Sequence, residues 1–174
     1  MRVFIGIFVP DDLKEKILDL QNQIKNLPLE VKMVEAENLH ITLSFLGEIS
    51  EEKIMLIKDK LDQITKKHKK FEANINGIKL IPNQNYIRVI ALDVISNELN
   101  RISHEIKEII GGDVKPPHLT LCRVKNISDK SNTVRQLLKL GLKEVIEIKS
   151  ICIIKSVIKK TGPEYSSLYE SNLI

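Results

Sequence analysis

Apolar residues return every three or four positions in four stretches of this chain, the spacing of a helix with one buried face. Leu13, Ile17, Leu20 and Ile24 make the first stripe, behind Asp11 and Asp12 as N-cap candidates. Ile54, Ile57, Leu61 and Ile64 make the second, after Ser50, with Glu51 and Glu52 suited to the positive end of the helix dipole. Leu99, Ile102, Ile106 and Ile109 form a third, stopped by Gly111-Gly112. Val134, Leu137 and Leu138 give a shorter fourth between Asp129 and Gly141. The intervening runs are β-rich: Arg2–Val9, His40–Leu46, Phe71–Leu80, Tyr86–Leu92, His118–Val124, Val145–Ile148, Ser150–Ile158 and Tyr165–Tyr169. Strands and helices mix without regular βαβ alternation, which predicts an α+β fold with mainly antiparallel sheets.

Two segments share one plan. His118 follows His40 by 78 residues, and the same step carries Ser50 to 128, beside the start of the fourth helix. It also carries Phe71 to 149, at the edge of the run Ser150–Ile158. The halves therefore read as diverged copies of a helix–strand–helix–strand unit, arranged about a pseudo-twofold axis. No low-complexity segment or flexible linker interrupts the chain, so residues 1–174 are expected to form a single bilobal domain.

Composition narrows the field only a little. Hydrophobic and charged fractions of 43% and 29% are those of a soluble globular protein. A formal charge of +4 is compatible with an anionic ligand without requiring nucleic acid. The apolar run Arg2–Val9 is cut off by Pro10-Asp11-Asp12, too short to span a membrane and without a cleavage pattern behind it. Cys122 and Cys152 have no CxxC spacing, so they predict reduced thiols in a cytoplasmic protein and exclude a cysteine-based zinc site.

The chemistry concentrates in Leu39-His40-Ile41-Thr42-Leu43 and Pro117-His118-Leu119-Thr120-Leu121. On a strand, alternate side chains share a face, so each histidine stands beside its threonine while the aliphatic residues turn the other way. The chain has four histidines and five threonines, and random placement would give two such pairs with a probability of roughly 0.005. A single His-x-Thr pair on a strand is usually a half-buried sheet surface. Two copies at matching places in a repeat are better explained by a shared task.

Imidazole exchanges a proton near neutral pH, so two imidazoles facing one substrate can divide a phosphoester displacement between them. One deprotonates the attacking oxygen and the other protonates the departing one. Thr42 and Thr120 offer hydroxyl donors for phosphate oxygens. Such a reaction needs no metal or other cofactor, and no carboxylate-rich cluster is evident to hold one. A zinc site on His40 and His118 lacks a visible third ligand.

The chain resembles the two-histidine phosphoesterases, in particular the RNA 2′,3′-cyclic phosphodiesterases once called 2′-5′ RNA ligases. The likeness runs over Arg2-Val3-Phe4-Ile5-Gly6, Leu39 to Gly47, Pro116 to Val124 and Gly162-Pro163-Glu164-Tyr165. It implies two sheets facing a central cleft, with helices outside. It implies opening of an RNA or nucleotide 2′,3′-cyclic phosphate end to a 2′-phosphate, with His40 as general acid and His118 as general base. Exchanging the two roles would give a 3′-phosphate. With a ribose hydroxyl in place of water, the same chemistry is 2′-5′ ligation. Alternatives are a cyclic phosphodiesterase for a small nucleotide such as ADP-ribose cyclic phosphate, and a protein that binds RNA ends without turnover. A monomer, with no membrane partner, is expected.

The resemblance also makes Arg123 a phosphate clamp and Phe45 a platform for base stacking. Strict alternation opposes both, because each lies five residues after its histidine and so has opposite parity. A bulge or strand end at Ser44 or Cys122 would restore them. Other residues have plainer readings. His68, within Lys66-Lys67-His68-Lys69-Lys70, reads as a solvated helix end, and His104 as solvent-facing. Arg88 is read as reaching phosphate or capping a sheet edge, Tyr165 as lining the cleft or filling the core, and Cys122 shares parity with His118 as groove filler.

Overall fold

A computed structural model describes all 174 residues, Met1–Ile174. The four periodic stripes form α1 (Asp11–Lys25), α2 (Glu51–Thr65), α3 (Asn97–Ile109) and α4 (Lys130–Lys139). Ser50 caps α2 by accepting the Lys53 amide at 3.4 Å, and Ser96 caps α3 by accepting that of Leu99 at 3.1 Å. Asp11 and Asp12 lie in the first turn of α1 instead of capping it, where their charge meets the helix dipole.

The β-rich runs form β1 (Arg2–Phe8), β3 (His40–Glu48), β4 (Phe71–Pro82), β5 (Ile87–Ile95), β6 (His118–Ile127), β7 (Lys143–Ile148), β8 (Ser150–Lys159) and β9 (Gly162–Asn172). One strand, β2 (Leu29–Met33), is absent from the sequence reading. Its signal was a short alternation, Leu29, Val31 and Met33 half-buried between exposed Glu30 and Lys32.

All strand pairs are antiparallel, in the order β7-β4-β5-β6-β3-β1-β8-β9, with β2 added to β6. The two sheets anticipated from the sequence are joined at a single residue pair, Ile41 with Leu119. The internal repeat is also visible, with an exchange. The unit β1-α1-β3-α2 ends in β4, which pairs with β5 of the second unit, while β8, ending that unit, pairs with β1. Each lobe thus contains two strands from the other half, β8 and β9 in one and β2 and β4 in the other.

Ile41 and Leu119 belong to a core of 34 buried residues that also takes the stripes of α1, α2 and α3 and, from α4, Leu137, whereas Leu138 of the expected fourth stripe is exposed. The helices therefore cover the aliphatic face of the motif strands. His40 and His118 project from the other face. His68 corrects its reading as a solvated helix end: it is 8% exposed, hydrogen-bonded to Glu98 at 2.5 Å and to Glu105 at 3.0 Å. Two carboxylates on α3 draw it inward and clip the end of α2 to that helix. His104 is exposed, as read.

Candidate active site

The register that pairs Ile41 with Leu119 is antiparallel. One step further in either direction, it sets His40 against Thr120 and Thr42 against His118. All four side chains line a single cavity of about 270 Å³ at the joint of the lobes, with Phe45, Arg123 and Tyr165 on its wall.

Local structure orients both rings in the same way. His40 Nδ1–H donates to the carbonyl of Asn38 at 2.6 Å, and His118 Nδ1–H donates to that of Pro116 at 2.9 Å. Each bond fixes the tautomer and leaves Nε2 as the nitrogen available to the cavity. In its neutral form, His40 Nε2 accepts the Thr42 hydroxyl at 2.9 Å. Asn38 is buried, and its side-chain amide donates to the Pro163 carbonyl at 2.9 Å, tying the base of His40 to the β8–β9 hairpin.

The parity objection to Phe45 and Arg123 is met by paired bulges. Gly6 pairs with Thr42 and Ile5 with Ser44, so Leu43 is an extra residue in β3. Ala91 pairs with Thr120 and Ile90 with Cys122, so Leu121 is an extra residue in β6. Each extra residue lies three positions after its histidine and reverses the alternation beyond it. Phe45 and Arg123 consequently reach the cavity that holds the histidines. The same bulge corrects the reading of Cys122. It turns into the core instead of filling the groove, and burial pushes its thiol up to about 12, which removes it as a nucleophile.

The two histidines sit in different surroundings. Phe4 packs 4.8 Å from the His40 ring, and Tyr165 stands edge-on to it at 5.0 Å. Burial lowers the His40 pKa below the ordinary 6.5; the hydrogen bond to Asn38 pulls upward, and the charge of His118 adds to the lowering. Tyr165, undecided between core and cleft from the sequence, borders the cavity. Burial raises its hydroxyl pKa, against the opposing charges of Arg123 and Arg2. Arg88 lines a neighbouring depression and not this cavity.

Phe4, Asn38 and Lys32 are the site residues that sequence reasoning missed. A signal for Phe4 existed: in the apolar strand β1, Val3, Ile5 and Ile7 enter the main core, while Phe4 packs in a separate cluster with Cys152 and Ile154. Gly6 has a stricter duty. A Cβ there would lie 2.7 Å from the Ile41 carbonyl, so β1 can approach the lobe joint only with glycine at this place. No three His, Cys, Asp or Glu side chains gather closely enough to hold a metal ion. No helix is long and apolar enough to cross a membrane.

Two His-x-Thr strands that meet at one cavity in a bilobal antiparallel fold define a two-histidine phosphoesterase. Residues 7–91 match the family model described as LigT like Phosphoesterase. The chain is 38% identical, over 98% of its length and 99% of the relative's, to a Methanocaldococcus jannaschii protein named RNA 2′,3′-cyclic phosphodiesterase. Its fold matches TT0787 of Thermus thermophilus with a TM-score of 0.85 at 21% identity, covering 99% and 98% of the two chains. It matches E. coli LigT complexed with phosphate with a TM-score of 0.76 at 20% identity, covering 99% and 96%. The chain belongs to the LigT-like phosphoesterase family and is accordingly an enzyme.

Proposed function

We propose that this protein opens terminal 2′,3′-cyclic phosphates of RNA to 2′-phosphates by acid–base catalysis between His40 and His118, without a metal ion. The observation that carries this reading is the matched commitment of both Nδ1 atoms to main-chain carbonyls, with both rings bordering one cavity. In the hydrolytic direction, His118 Nε2 takes a proton from water as the water oxygen bonds to phosphorus. The P–O3′ bond breaks, and His40 Nε2–H delivers its proton to O3′. Thr42, Thr120 and Arg123 donate to the phosphate oxygens, where charge accumulates. Phe45 offers its ring to the terminal base.

For this role His40 must be charged, although burial favours its neutral form. The phosphate supplies the correction, because an anion at Nε2 raises the affinity of the ring for its proton. With a ribose 5′-hydroxyl in place of water, the same transfers join two RNAs by a 2′-5′ linkage. The curated M. jannaschii relative supports RNA ends as the substrate class.

Purified protein incubated with EDTA and a nucleoside 2′,3′-cyclic phosphate tests the proposal. Turnover should persist under chelation, and chromatography against both monophosphate standards should show the 2′-phosphate. Activity lost on chelation and restored by a divalent metal would refute metal independence. A 3′-phosphate product would exchange the roles of the histidines.

A further inference from the structure

The catalytic cavity opens sideways into a second depression of about 470 Å³. The two share Lys32, Phe45, Arg123, Pro163 and Tyr165 on their walls, so they form one continuous groove. The added wall comes from Arg2 at the start of β1 and from Ile158, Lys159 and Lys160 on the β8–β9 hairpin. Five cations therefore line this one depression and its joint with the catalytic cavity. Lys159 is paired with Glu164 at 2.6 Å, whereas Arg2, Lys32, Arg123 and Lys160 have no carboxylate within ion-pair distance. The nearby carboxylate of Glu48 is held by the Met1 amino group at 3.4 Å.

Four unpaired positive charges around one depression repel one another, and a bound anion relieves that repulsion. Apolar surface accompanies the charge: Phe45 is 47% exposed and Ile158 71%. Cations that track a backbone, with exposed rings and aliphatic groups for bases, are the chemistry of single-stranded nucleic-acid binding. Continuity narrows which phosphate is meant. A nucleotide whose 2′,3′ edge lies between the histidines carries its 5′-phosphate one ribose away, and this depression is the basic space that shares its wall with the catalytic cavity. The other basic depression, around Tyr86, Arg88 and Lys130, touches the catalytic cavity only through Arg123 and does not continue it.

We infer that Arg2, Lys32 and Lys160 bind the phosphodiester on the 5′ side of the terminal nucleotide, so that the enzyme selects the ends of RNA chains over free nucleoside cyclic phosphates. This rests on the assignment of the catalytic cavity made above. It adds a subsite that governs substrate length and leaves the chemical step alone.

A substrate ladder tests it: a nucleoside 2′,3′-cyclic phosphate, the same compound with a 5′-phosphate, then a dinucleotide and a hexanucleotide with the same end. For the unmodified enzyme, kcat/KM should rise roughly tenfold when the 5′-phosphate is added, the scale of one charge-assisted contact. It should rise again with the dinucleotide. The double variant Arg2→Gln, Lys160→Gln should lose the gain while hydrolysing the mononucleotide at the original rate, which also certifies its fold. Its salt dependence on the hexanucleotide should flatten by about 0.7 in log–log slope per lost phosphate contact. A flat ladder, or equal loss on every rung, overturns the inference. A gain that stops at the 5′-phosphate overturns it in favour of a small phosphorylated nucleotide. If no rung is hydrolysed, the catalytic assignment fails by itself. The subsite is then judged by fluorescence anisotropy with a labelled single-stranded hexamer, where equal affinity of variant and parent rejects it.

Discussion

The strands β3 and β6 carry one motif in two environments. Both begin at a histidine, donate Nδ1–H to the carbonyl two residues back, and bulge three residues on. There the likeness stops. His40 is walled by Phe4 and Tyr165, bonded to Thr42 and anchored through buried Asn38. His118 is anchored on exposed Pro116, and Thr120 beside it makes no comparable bond to its ring. Burial makes the His40 ring costly to charge, and a motif repeated for geometry has been given different surroundings on its two strands.

The comparison breaks most severely when either ring is removed. His40→Ala and His118→Ala should each lower kcat on a cyclic nucleotide by about 10²–10⁴-fold, the worth of one positioned proton transfer. The double variant should lose less than the product of the two factors, because the groups act on one transition state. A single variant with near-parental kcat in steady-state assays would remove that histidine from the mechanism.

The threonines should separate next, and more gently. Thr120→Val removes a hydroxyl free to donate to the phosphate, for a loss of roughly tenfold in kcat/KM. Thr42→Val should be the milder change, because the Thr42 hydroxyl must first leave His40 Nε2, 2.9 Å away, before it can serve the substrate. Kinetics of the two variants on one substrate decide the order. A larger loss at Thr42 would mean that its bond to His40 persists through the reaction.

Much of the layout was legible in the chain, and the illegible part has a consistent cause. Helical stripes such as Ile54, Ile57, Leu61 and Ile64 fill the core as their spacing predicts, since burial on one face decides a helix. The paired motifs and the 78-residue step revealed the lobes, but not that β4 and β8 exchange between them, because strand pairing is settled by contacts distant in sequence. The bulges could be demanded by the parity of Phe45 and Arg123 but located only to within a residue: they fall at Leu43 and Leu121. His68 was misread for a related reason. Its partners Glu98 and Glu105 lie 30 and 37 residues away, and nothing in the surrounding lysines announces them. The aromatic wall that makes His40 unlike His118 is assembled from β1 and β9, outside either motif.

The smallest predicted effect, a displaced limb in a pH profile, tests that difference most directly. Burial holds His40 below the ordinary 6.5 in the free protein, so its ring loses its proton earlier than usual as pH rises. The kcat/KM profile reports the free enzyme and the kcat profile the complex. The limb that His40 contributes to the kcat/KM profile should break at a pH below about 6.5, the ordinary titration point of histidine, and the matching limb in kcat should lie higher, since the bound phosphate anion restores the proton. NMR titration of the His40 ring, free and saturated with a nucleoside 2′-phosphate, gives the midpoint without turnover. A free midpoint at or above 6.5 would mean that Phe4 and Tyr165 do not desolvate the ring.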